Sequence, residues 1–138
     1  MKTSSLVSSS RRKNRLAHFN ATSHLKYKLM SANVSDELRK THGIKSLPVR
    51  RDDTVKIVRG HFKGTEGKVT HCYRRRWCLY IEKIIRNKKT GATVRVPIHP
   101  SNCVLTKLKL TPDRENLIKR KAEGRGQSKG KYTKEEVN

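Results

Sequence analysis

Acidic side chains, aromatic rings and cysteines are all scarce in this 138-residue chain, and long apolar runs are missing from it. The longest stretch of apolar residues is five, Trp77 to Ile81. A membrane helix needs about 20 and a secretory signal core about 7 to 15, so neither is expected. Three cysteines cannot pair completely, and their spacing fits no secreted disulfide framework, which points to a reducing compartment. Rings make up 5% of the chain, too few for the converging aromatic cage that a methyl-lysine reader would need. Eleven acidic residues stand against thirty-four Lys+Arg, leaving a net charge of +23. Such a chain repels itself and needs a polyanionic partner rather than a membrane or a small-molecule substrate.

What apolar material there is gathers in the middle. Leu, Ile, Val and Phe number thirty, and sixteen of them lie between Arg51 and Leu110. Positive charge does not follow that division: residues 1–50 carry +9, 51–110 carry +11 and 111–138 carry +3. The expected organisation is a basic amino-terminal arm over 1–50, a folded centre over 51–110, and a helix with a mobile tail over 111–138. Removing residues 1–33 is then expected to spare the folded centre.

The centre reads as short strands. Thr54–Val58 alternates, a glycine-punctuated loop follows from Gly60, and Gly67–Tyr73 is the next β candidate. Arg74-Arg75-Arg76 makes a charged tip before Trp77–Ile85, rich in β-branched and aromatic residues. In that strand Trp77 and Tyr80 are three apart and should face opposite sides, one of them packing. Asn87–Gly91 suits a hairpin loop, Thr93–Ile98 puts Val94, Val96 and Ile98 on one face, and Val104–Leu108 is a last strand. Five strands in this span predict a mainly β fold, a small five-stranded barrel whose closure removes exposed edges. The flanks read as short helices: Ser23 through Met30, Ser35 through Lys40 with a stop near Gly43, and a carboxy-terminal helix from Thr111-Pro112-Asp113 ending at Gly124. Residues 1–10 and 124–138 are expected to be mobile.

Catalytic and metal chemistry find little support. Cys72 and Cys78 flank the arginine tip with His71 adjacent and could sit opposite each other, but no Cys-x-x-Cys exists and Cys103 is distant. Structural zinc wants four ligands in close pairs, so the cysteines read as small apolar strand residues and no metal or cofactor is expected. No Ser or Cys lies in a nucleophile elbow, and Asp52-Asp53 before a strand suits turn-capping. The chain is not expected to be an enzyme.

Basic clusters interleaved with rings are more informative. Arg11-Arg12-Lys13-Asn14-Arg15 leads to His18-Phe19-Asn20, and Arg50-Arg51, Arg59-Gly60-His61 and Tyr73–Trp77 repeat the theme. Guanidinium forks bind phosphate bidentately and rings accept unstacked bases. Charge alone does not separate RNA from DNA.

Val55–Val69 resembles a KOW motif: an apolar strand, a glycine turn, Lys63-Gly64, then Gly67-Lys68-Val69 opening a second strand. In such a loop glycine permits positive φ and close backbone approach to nucleic acid. With Ala17–Ala21, Arg50–Asp53, Tyr80-Ile81-Glu82, Val96–Asn102, Lys107–Leu110 and Asp113-Arg114, the chain resembles the large-ribosomal-subunit KOW protein family, numbered twenty-four universally and twenty-six in eukaryotes. The likeness covers residues 10–122, and the long basic arm and His99-Pro100-Ser101 segment favour the eukaryotic form.

The resemblance implies an SH3-like barrel and a structural role in the large subunit, supporting assembly and translation. It implies contact with ribosomal RNA of the 5′ domain near the nascent-chain exit, with neighbouring large-subunit proteins as further partners. The implied location is the cytoplasmic ribosome, with a nucleolar stage during assembly. On this reading the arm threads into RNA. Arg11, Arg12, Lys13, Arg15, Arg50, Arg51, Arg59, Lys63, Lys68, Arg74, Arg75 and Arg76 are the expected phosphate contacts. His18, His61 and Trp77 are expected to stack, and Gly60, Gly64 and Gly67 to shape the turn. The rival is a KOW-type transcription-elongation factor binding polymerase and nucleic acid. That family carries an α/β domain before its KOW domains, and residues 1–50 are too short and basic to be one.

Overall fold

The computed structural model describes residue 4 and residues 6–129. The tail expected to be mobile lies mostly outside the described residues.

Among the described residues, eight short strands and four helices follow one another along the chain. The first helices are α1 (Arg11–Phe19) and α2 (Ser23–Leu29), and β1 (Ser31–Val34), α3 (Asp36–His42) and β2 (Ser46–Pro48) come next. The centre supplies β3 (Thr54–Ile57), β4 (Glu66–Tyr73), β5 (Cys78–Ile81), β6 (Ile85–Asn87), β7 (Thr93–Arg95) and β8 (Cys103–Lys107), and α4 (Pro112–Lys129) follows. Six strands form one sheet in the order β2-β1-β8-β3-β4-β5, while β6 and β7 form a separate hairpin. In that sheet β1 and β8 pair in parallel and every other neighbouring pair is antiparallel.

This corrects the expected fold in two ways. The sheet is open rather than a closed five-stranded barrel. It also recruits β1 and β2 from the segment read as an arm, so the fold is mixed α and β rather than mainly β. The cause is visible in the core. Met30, Ala32, Val34, Ile44, Leu47 and Val49 are buried together with Val55, Ile57, Val69, Leu79, Ile81, Ile84 and Leu105. Of the sixteen central Leu, Ile, Val and Phe residues, Ile85, Val94 and Leu110 are exposed, and the 30–49 segment supplies further apolar surface to the core.

Local chemistry explains both ends of α3 and the start of α4, whereas Ser23 lies inside α2 rather than capping it. The Ser35 hydroxyl accepts from the Leu38 amide at the start of α3, and Gly43 ends it in the left-handed region at φ 66°. The Thr111 carbonyl oxygen accepts from the Arg114 and Glu115 amides ahead of Pro112 at the first position of α4. Gly124 does not end α4, which runs on to Lys129; a lone glycine weakens a helix by about 1 kcal/mol without breaking it. The expected Trp77–Ile85 strand is interrupted twice, by Trp77 at φ 57° and Lys83 at φ 68°. Val94 is exposed in β7, while Val96 and Ile98 both pack against the core and Ile98 also bridges to Leu79. Cys72 pairs with Leu79 and Cys78 with Tyr73, so the two cysteines are not opposite each other.

One buried ion pair fastens α4 to the sheet. Arg114 is 1% exposed and Asp53 0%. The guanidinium donates to both carboxylate oxygens, at 2.5 and 2.8 Å, and also to the carbonyls of Pro48 and Lys109. Asp53 further accepts from the Arg50 and Lys109 amides at 2.8 and 3.0 Å. The carboxylate expected to cap a turn is thus a junction between β2, β3, β8 and α4.

Candidate nucleic-acid interface

The β3–β4 loop is built by its glycines. Gly64 donates to the Ile57 carbonyl at 2.8 Å and Lys63 to that of Gly60 at 3.1 Å, closing the loop on itself. Gly60 at φ 92° and Gly64 at φ 89° take a conformation that costs other residues energy, although open space surrounds both. Phe62 packs on the core and leaves Arg59, His61 and Lys63 exposed. Gly67 does not belong to this turn. It pairs with Val55 inside β4, without positive φ, where a Cβ would lie 2.7 Å from the Glu82 carbonyl oxygen and from Ile81 Cγ2. Close approach of β5, rather than turn geometry, requires glycine there.

The arginine tip is a 3-10 turn over Arg74–Arg76, with all three side chains exposed. Trp77 follows it and stacks on His18, ring centroids 3.9 Å apart and planes within 14°. Lys26 Nζ lies 5.3 Å from the same indole. Tyr27 is flanked by Arg50 and Arg74, and its hydroxyl accepts from Arg50 Nε and Nη2 at 3.2 and 3.0 Å. Arg50 Nη1 donates to Thr111 Oγ1 at 3.0 Å. The structure therefore brings His18, Trp77 and Arg50 into internal contacts that hold α1 and α2 against the tip. His18 and Trp77 occupy each other's faces, and Arg50 has its fork engaged within the protein.

The remaining cations present themselves outward. Arg11, Arg12, Lys13 and Arg15 lie on α1, which buries no residue and has no acid in its first turn. Arg51 is exposed beside Asp52. Lys68 is exposed too, but its Nζ is 3.2 Å from Asp52, which also meets Lys109 Nζ at 2.7 Å. Hydrogen bonds from Lys109, then from Lys68, hold the Asp52 carboxyl below the usual carboxylate range. The three cysteines carry raised thiol values because burial disfavours the thiolate, and Cys72 and Cys103 are pushed up to about 11. Among the described residues no group of three or more His, Cys, Asp or Glu is placed to hold a metal ion. No described helix is long and apolar enough to cross a membrane.

Two groupings of surface residues do not follow from the sequence alone. Arg86, Lys88, Lys89 and Arg95 cluster on the β6–β7 hairpin, all exposed; four cations without an acid between 86 and 95 were the available signal. His71, Tyr73 and Tyr80 share the outer face of β4 and β5, which the 71/73 alternation signals once the β4–β5 register is known.

Known proteins resemble this chain over most of its length. The family of eukaryotic L26 and archaeal L24 ribosomal proteins matches residues 8–121. A Caenorhabditis elegans protein called large ribosomal subunit protein uL24 is 49% identical over 142 residues, covering 100% of both chains. A protein of the same name from Littorina littorea is 49% identical over 139 residues, covering 98% of this chain and 96% of its own. The chain therefore belongs to this eukaryotic and archaeal family of ribosomal proteins, whose members are structural rather than enzymatic.

Proposed function

We propose that this protein is a structural constituent of the large ribosomal subunit that binds ribosomal RNA in the 5′ domain near the nascent-chain exit. It supports subunit assembly and translation, beside neighbouring large-subunit proteins, on the cytoplasmic ribosome and at a nucleolar stage of assembly. The observation that carries the reading is the outward display of cations. Of the twelve expected phosphate contacts only Arg50 is partly buried, and few acids oppose them. Arg11, Arg12, Lys13 and Arg15 form one grip on α1, while Arg59, Lys63 and Arg74–Arg76 offer a second on the loop and tip of the sheet. Phosphate contacts of this kind position the protein, and their exposure keeps them available.

The helices α1 and α2 act as the RNA-facing extension and the sheet as its rigid base; the KOW segment Val55–Val69 presents the loop. Sedimentation of cell extract through moderate salt tests the assignment. Co-migration of the full chain with the large subunit is expected, and co-migration with RNA polymerase instead would overturn it in favour of an elongation factor.

A further inference from the structure

The outer face of β4 and β5 carries a row of rings that phosphate binding leaves unused. His71 and Tyr73 alternate along β4, and Tyr80 stands opposite His71 on β5. The His71 and Tyr80 centroids are 6.3 Å apart with planes within 24°, and Tyr73 lies 5.6 Å from His71. None of the three belongs to the core cluster or packs against it. The inner face of the same strands is closed by Val69, Leu79 and Ile81, all buried, while His71 is exposed and both tyrosines are half-buried. The Arg76 guanidinium sits 5.3 Å from the Tyr73 centroid, and Arg74 and Arg75 are exposed on the same turn.

We propose that His71, Tyr73 and Tyr80 form a stacking platform for an unpaired RNA nucleotide, whose phosphate is met by Arg75 and Arg76. The proposal rests on the RNA-binding reading above and names the RNA state this face takes. Bases inside a helix are already stacked and present no free face to a flat surface. An unpaired nucleotide offers both a π-face and an adjacent phosphate, the two features that rings beside guanidinium groups match. Every base has such a face, so the platform selects single-stranded or bulged RNA rather than one base.

The test uses the full chain with a short single-stranded RNA carrying one 2-aminopurine, and a duplex of the same length. Wild type is expected to quench the 2-aminopurine on binding. His71→Ala and Tyr80→Leu should abolish the quench and weaken single-strand affinity by about 5- to 150-fold. Duplex affinity should stay within about twofold and the salt slope should not change, because no fixed cation is removed. Tyr80→Phe should retain the quench, which separates stacking from loss of fold. Absence of quenching by wild type, or equal loss of single-strand and duplex binding in the variants, would overturn the platform. Salt-dependent duplex binding that persists in that case leaves the proposed function standing; its absence in wild type would remove the proposed function itself.

Discussion

Asp53→Ala is the sharpest test of how this fold is held together. The substitution leaves a charged guanidinium at a site 1% exposed and strands the Arg50 and Lys109 amides, which both donate to Asp53. Removing one partner of a buried ion pair costs about 3 to 5 kcal/mol, and a stranded buried donor about 1 to 3. Because the groups share one site the terms overlap, and the expected loss is about 4 to 6 kcal/mol. A domain with about 5 to 15 kcal/mol in hand would then stand at the edge of folding. Arg114→Met should also destabilise, by leaving the carboxylate unpaired. The double variant Asp53→Ala/Arg114→Met should cost clearly less than the two singles together, since no buried charge remains in it. Urea unfolding followed by far-UV circular dichroism measures all three. Additivity within about 0.5 kcal/mol, or a loss under about 1 kcal/mol for Asp53→Ala, would refute the idea that this pair clamps α4 to the sheet.

Deleting residues 1–22 should remove α1 and its cations yet keep a cooperative transition, whereas deleting 1–33 should abolish it. The longer cut takes buried Met30 and Ala32 and most of β1, the strand between β2 and β8; thermal scans of both chains distinguish the outcomes. Gly67→Val should destabilise by more than about 2 kcal/mol in urea, on the order of an overpacked core, because its Cβ meets the Glu82 carbonyl oxygen at 2.7 Å. Near-wild-type stability would show that β5 can give way. Affinity for large-subunit RNA should fall with salt at a slope near about −6 to −7 on log–log axes if about eight phosphates are neutralised; a filter-binding series shallower than about −2 would falsify a phosphate-dominated interface. Cys72 and Cys103, pushed up from the ordinary 9.0 to about 11, should hold about 100-fold less thiolate at pH 8 than an unperturbed thiol. Their alkylation by iodoacetamide should be slow in the native protein and fast in urea, as peptide mass mapping would show.

What could be read from the sequence was local. The alternation of Thr54–Val58, the Ser35 cap with its Gly43 stop, the Thr111-Pro112 helix start and the Gly60 and Gly64 turn each rest on neighbouring residues, and each is present. What could not be read depends on distant partners. Ser31-Ala32-Asn33-Val34 and Ser46-Leu47-Pro48 have no strand composition; pairing with each other and with β8 imposes their conformation. Asp53 does cap its turn by accepting the Arg50 amide, but its ion pair was not legible because Arg114 is 61 positions away. His18 and Trp77 read as free stacking rings for the same reason, since nothing local shows that α1 folds back onto the tip. Gly67 was read from the glycine pattern of its loop, whereas its requirement comes from the strand beside it.

The parallel pairing of β1 with β8 has a consequence for synthesis. Asn33 meets Val104 and Val34 meets Leu105, so a chain emerging from its amino terminus makes β1 and its antiparallel partner β2 long before β8 exists. Contacts between such distant segments are slow to form, because the intervening loop must close before they reward it. Throughout that interval the cations of α1 are already outside and unopposed, free to bind any nucleic acid nearby. The Asp53–Arg114 clamp cannot close until still later. A newborn copy is therefore a strongly cationic, incompletely folded chain until β8 and α4 have been made.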